Sequence, residues 1–163
     1  MRHLLFPLPF LILASPVAAE RQSIGVFAGW GAFRDQAPAR CFAVAVPVRS
    51  PRPETWRAAA SVSYWPERRT RGQVHFRLSR EKRAGSAILL RIDDRTFQLA
   101  GGGINAWAPD PRADAEIVRA IRTGLSMRVE TRSVRGTSVR DFYQLRGAAT
   151  AIDAAAIACA GRS

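Results

Sequence analysis

Residues 72–78 alternate without interruption, with Val74, Phe76 and Leu78 on one side and Gln73, His75 and Arg77 on the other. This is the period-two pattern of a strand with one buried face. Residues 58–65 read as a strand as well, Val62 and Tyr64 opposing Ser61, Ser63 and Trp65. Residues 40–47 are apolar on both faces, as a central strand would be, and Pro47 ends the run. The clearest hairpin spans residues 86–100. With Asp93-Asp94 as its two-residue turn, Leu90 falls opposite Phe97 and Ile88 opposite Leu99, so the apolar positions pair on one face. Gly101-Gly102-Gly103 reads as a turn before another short strand at 104–107.

Asp110-Pro111 marks a helix start, with acids early, Arg119 and Arg122 late, and Ile117, Val118 and Ile121 as the buried stripe. Residues 126–132 alternate again, Met127, Val129 and Thr131 inward. Residues 139–145 return, although Asp141 falls on the face of Tyr143 and Leu145. Thr150-x-x-Asp153 resembles a capping box opening an alanine-rich helix on which Ile152, Ala156 and Cys159 share a face. About eight short strands with two short helices predict a mainly β fold: an antiparallel β-sandwich or partly closed barrel.

The first nineteen residues break this pattern. Met1-Arg2-His3 is a basic start, residues 4–13 are apolar, and Val17-Ala18-Ala19 precedes Glu20. That is the layout of a cleaved secretory signal peptide over residues 1–19. The run is too short to span a bilayer and carries Pro7, Pro9 and Pro16. One domain is expected over residues 20–163, periplasmic or secreted, with no integral membrane segment after cleavage.

Cys41 and Cys159 are the two cysteines. In an oxidising compartment they are expected to pair as a structural staple, being too far apart in sequence for a redox-active motif. The full chain carries a formal charge of +12, and Lys82 is its sole lysine. Export removes nucleic acid as a partner. The anionic partners left are lipopolysaccharide, phospholipid headgroups, peptidoglycan-associated polymers or an acidic protein.

Catalytic patterns are absent. His75 is the only histidine beyond the leader, which rules out sites needing two imidazoles. No Gly-x-Ser-x-Gly elbow is present, and the glycine triplet lacks the Lys-Ser/Thr of a phosphate loop. Asp93-Asp94 does not form an acid/base pair across a cleft. No metal site and no cofactor are expected, and the chain reads as a non-enzyme. The enzymatic alternative is a small hydrolase using His75. The binding candidates are Arg68, Arg69 and Arg71, with Trp65 beside them as a flat surface for a sugar or lipid headgroup. The plainer reading is a half-buried edge tryptophan among solubilising arginines.

Several stretches together resemble the invasion-associated locus B family of exported proteobacterial proteins. Trp30-Gly31-Ala32-Phe33-Arg34-Asp35 precedes Ala39-Arg40-Cys41-Phe42-Ala43, a tryptophan-then-cysteine opening. Leu90-Arg91-Ile92-Asp93-Asp94-Arg95-Thr96-Phe97 resembles the central hairpin, with Ala106-Trp107 after it. Arg135-Gly136-Thr137 and Asp141-Phe142-Tyr143-Gln144-Leu145-Arg146-Gly147-Ala148 resemble the strand–glycine–helix finish. The resemblance implies a β-sandwich-like fold and an exported, non-enzymatic protein; the expectation drawn from all of these readings together is one that acts by binding an envelope component or a protein partner. The alternative is a surface-associated factor engaging a host cell, although the family's invasion role is not carried over. The chain lacks the family's commoner second cysteine pair in its middle region, residues 104–112, and no binding residue is carried over.

Overall fold

The computed structural model describes residues 20–51 and 56–160; the expected leader, 1–19, lies outside them. Among the described residues, ten antiparallel strands form one sheet. They are β1 (Arg21–Phe27), β2 (Trp30–Asp35), β3 (Arg40–Ala45), β4 (Ala59–Trp65), β5 (Thr70–Arg77), β6 (Ile88–Ile92), β7 (Arg95–Gly102), β8 (Asn105–Trp107), β9 (Ser126–Arg132) and β10 (Ser138–Gln144). The helices are α1 (Pro111–Thr123) and α2 (Ala148–Ala160). The strand order is β1-β2-β3-β4-β5-β8-β7-β6-β9-β10.

The sheet curls so that its inward residues meet across one core. Trp30, Ala43, Val62 and Phe76 come from one arm, and Ile88, Leu90, Met127 and Tyr143 from the other. No continuous ladder closes the arc. Instead, the chain just past β3 touches β10: Val48 N–H donates to the Phe142 carbonyl at 2.7 Å, and Phe142 N–H to the Arg49 carbonyl at 2.7 Å. The result is an open barrel with a seam.

The hairpin register is as the sequence predicts, Ile88 opposite Leu99 and Leu90 opposite Phe97, with Ile92 and Arg95 flanking the turn. Asp93 takes a positive φ of 49° there, which a short polar side chain tolerates. Val74, Phe76 and Leu78 are buried as expected, and so are Met127 and Val129. Asp110 caps α1 by accepting the Ala113 N–H at 2.8 Å. One turn later, Asp114 accepts the Val74 N–H at 2.7 Å and so fastens the helix to β5.

Two expectations need correction, and two strands, β1 and β2, add to the roughly eight expected. The hairpin β1–β2 does not follow from the sequence pattern, because Ile24 and Val26 point outward and glycines dilute the alternation. The glycine triplet is not a separate turn: Gly101 and Gly102 belong to β7, and the reversal falls at Gly103-Ile104. The capping box does not form. α2 begins earlier, after Gly147, whose φ is +88° and where a Cβ would strike the Phe27 carbonyl. Thr150 is therefore inside the helix, and Asp153 instead accepts two hydrogen bonds from Arg122 of α1, at 2.6 and 3.1 Å.

Ala148, Ala151, Ile152 and Ala155 make the buried face of α2 against β1–β4. Alanines let the helix lie close to the sheet but bury little area each. The covalent link is therefore important at its far end, where Cys159 bonds Cys41 of β3 with Cα atoms 5.8 Å apart. The pairing expected from the sequence is formed.

Candidate binding face

The helices and the second arm cover the inner side of β1–β5, and among the described residues no helix or strand covers the outer side. Its residues follow from the register. Asp35 faces Arg40, Phe33 faces Phe42, and Ser63 faces Gln73. These pairs build a ladder of rings and guanidinium groups. Phe33 and Phe42 stack with centroids 5.7 Å apart. Arg40 lies 4.0 Å from the Phe42 centroid and 5.1 Å from that of Trp65. Arg68 lies 4.9 Å from the Trp65 centroid, and Arg21 reaches Phe42 at 5.1 Å. Two guanidiniums thus lie within about 5 Å of the Trp65 ring centre.

Of the four sequence candidates, the structure joins two. Trp65 ends β4, and Arg68 sits in the 3-10 turn Pro66–Arg68 that follows, so their proximity is local. Arg69 closes that turn with φ +52° and is exposed. Arg71 pairs with Tyr64 across a bulge at Gly72, while Thr70 pairs with Trp65. Arg71 therefore projects to the opposite side of the sheet from Trp65. Lys82 and Arg83 lie elsewhere, at the end of β9: Lys82 bridges to Ser133, and the Arg83 N–H donates to the Arg132 carbonyl.

The ladder members that sequence reasoning misses are Arg40, Arg21 and Phe42. They lie 23 or more positions from Trp65, and only strand pairing brings them to it. Asp35 is the acid among them, bonded to Arg21 at 2.8 Å and Arg40 at 2.8 Å. The Arg21 hydrogen bond, with Arg40 in support, holds its carboxyl below the ordinary range. Arg77 shares the outward side of β5 with His75, so arginines outnumber acids on these strands' outer positions.

His75 belongs to this face. Its Nε2 is 2.9 Å from Asn105 Oδ1, and its ring lies 5.2 Å from that of Trp107. Burial pulls its pKa down, and the nearby Arg77 and Arg40 charges act in the same direction. The ring is oriented by an amide, not by a carboxylate.

Toward the β1–β2 turn the face becomes aliphatic. Val26 and Val46 are 71% and 57% exposed, and with Phe33 and Val44 they line a shallow trough of about 270 Å³. Exposed aliphatic area beside a cationic ladder is an amphipathic surface. Among the described residues no group of three or more His, Cys, Asp or Glu is placed to hold a metal ion. Nor, among them, is any helix long and apolar enough to cross a membrane. Comparison with protein-family models, curated proteins and solved structures finds no match for this chain.

Proposed function

We propose that this chain is an exported, non-catalytic binding protein that takes an anionic, amphiphilic envelope component on the outer face of β1–β5. The observation carrying this reading is Trp65, with the Arg40 and Arg68 guanidiniums 5.1 and 4.9 Å from its ring centre, on the same face as an exposed aliphatic trough. A phosphate or carboxylate headgroup suits the arginines, and an acyl chain suits Val26 and Val46. The disulfide fits a compartment outside the reducing cytosol, and the leader read from the sequence supports export. The resemblance to the invasion-associated locus B family supports the same class of protein. We read His75 as structural, since its ring bonds an amide and packs on Trp107.

The test is co-sedimentation of residues 20–163 with vesicles of phosphatidylcholine alone or with added phosphatidylglycerol. Binding is expected only to the anionic vesicles. It should weaken as salt shortens the Debye length from about 30 Å at 0.01 M to about 8 Å at 0.15 M. Trp65→Ala and Arg68→Ala should each reduce it several-fold, and His75→Ala should leave it unchanged. Equal binding to neutral vesicles, or indifference to Trp65 and Arg68, would reject the reading.

A further inference from the structure

A second arginine array lies on the other arm of the barrel, away from Trp65. Arg91 of β6 is directly opposite Arg128 of β9, and Arg128 is directly opposite Phe142 of β10. Phe142 in turn bridges to Arg49 at the seam. One rung across four neighbouring segments therefore reads Arg91–Arg128–Phe142–Arg49. Like charges directly opposite on a sheet cost stability, so this rung is not what packing alone would select.

Compensation is incomplete. Glu130 serves three arginines at once, 3.0 Å from Arg91, 3.1 Å from Arg128 and 3.5 Å from Arg140. The Arg128 Nε–H is buried and, despite that proximity, is out of line for a hydrogen bond. The Arg49 guanidinium lies over the Phe142 ring, 4.2 Å from its centroid. Asp93 is the other acid nearby, but its oxygens accept from the Leu125 and Ser126 N–H groups and the Ser126 hydroxyl. Those bonds hold its carboxyl below the ordinary range, so its charge is already engaged.

The rung borders an open hollow of about 470 Å³, whose other walls include Val48, Met127 and Gln144. That volume falls within the roughly 300–1,000 Å³ typical of small-molecule sites. Three guanidiniums, one aromatic plane and aliphatic flanks meet there.

We infer that this hollow is a binding site for an organic phosphate, a phosphoryl group joined to a flat or apolar body. Arginine forks match phosphate oxygens in bidentate geometry, and the Phe142–Arg49 stack offers a plane for the attached group. The ligand supplies the negative charge that Glu130 alone does not. It also braces the seam, because Arg49 and Phe142 form both the bridge and the wall. The inference is independent of the β1–β5 reading, since the two faces share no residue.

The experiment is titration of residues 20–163 with phenyl phosphate, followed by amide chemical shifts, with phenol and inorganic phosphate as comparisons. Phenyl phosphate is expected to saturate, with shifts centred on Ser126, Arg128 and Gln144, and to bind more tightly than either fragment. Arg49→Ala and Arg91→Ala should each weaken it about tenfold, the loss of one charge-assisted contact. Glu130→Gln should tighten it, an outcome that a damaged fold cannot produce. Trp65→Ala should leave it unchanged, so failure here and failure of the β1–β5 reading are distinguishable. Vesicles containing phosphatidic acid distinguish the source. Reduced vesicle binding by Arg91→Ala assigns a lipid headgroup, and unchanged vesicle binding assigns a soluble phosphate ester. Unsaturable shifts, or affinities equal to the parent in both arginine variants, would overturn the site.

Discussion

The start of β3 and the chain just beyond its end are fastened in opposite ways. At the start, Cys41 is joined covalently to α2, closing a sequence separation of 118 residues. Beyond the end, Val48 and Arg49 are held to β10 by hydrogen bonds and by a guanidinium resting on Phe142. The covalent end secures a helix whose buried face is mostly alanine and gains little from packing. The seam lies among exposed arginines, where solvent, salt and ligands all have access. A barrel tied permanently at one end and reversibly at the other can keep its fold while its second end responds to a bound anion.

The largest expected effect comes from cutting the covalent end. Reduction, or Cys41→Ser with Cys159→Ser, should lower unfolding free energy by about 4–5 kcal/mol on chain-entropy grounds. Urea unfolding with and without reductant measures it. A loss under about 1 kcal/mol would mean that packing already holds α2, and the contrast drawn above would collapse.

A smaller loss should follow from Gly147→Ala. The site has a left-handed backbone, and the new methyl would meet the Phe27 carbonyl, so α2 would have to shift away from β1. A left-handed alanine costs about 1–2 kcal/mol before any collision, so at least about 2 kcal/mol is expected. Because the disulfide still anchors the other end of α2, the variant should fold. Combined with reduction, its cost should exceed the sum of the two separate losses if both act through the seating of α2.

Much of the fold is legible along the chain, for identifiable reasons. The β6–β7 register follows from Asp93-Asp94 and the spacing of Ile88, Leu90, Phe97 and Leu99, all within reach of one turn. The start of α1 is legible because its cap, Asp110, is adjacent to it. The start of α2 is not, because Gly147 is dictated by Phe27, 120 positions earlier in the sequence. The strand β1 is hidden because its aliphatic residues face outward, against the usual inference from hydrophobicity. The same rule divides the candidate sites. Trp65 and Arg68 are near neighbours in sequence and can be read as a pair. Arg40 joins them only through the β3–β4 register, and Arg49, Arg91, Arg128 and Phe142 meet only when four distant segments align.

The smallest expected effect separates the two fastenings by pH. On the inner side of β10, next to Phe142, Asp141 is buried and accepts the Ser79 N–H at 3.0 Å through Oδ2. Its Oδ1 has no hydrogen-bond partner. Burial pushes its carboxyl above the ordinary range, despite the Ser79 hydrogen bonds and the opposing pull of Arg80. The folded state therefore binds this proton more tightly than the unfolded chain does. Stability contributed by the protonated form is fully present below the unfolded pKa, about 3.9, and is lost as pH rises through the folded value. Asp141→Asn keeps an acceptor for Ser79 and has no charge to bury, so its stability should lack that slope. Urea midpoints from about pH 4 to about pH 8 should show the variant gaining on the parent as pH rises. The disulfide bears no proton, so the same difference should persist in reduced protein. Parallel curves for parent and variant would show that Asp141 is ionised at no cost, and that the seam end is as indifferent to pH as the covalent one.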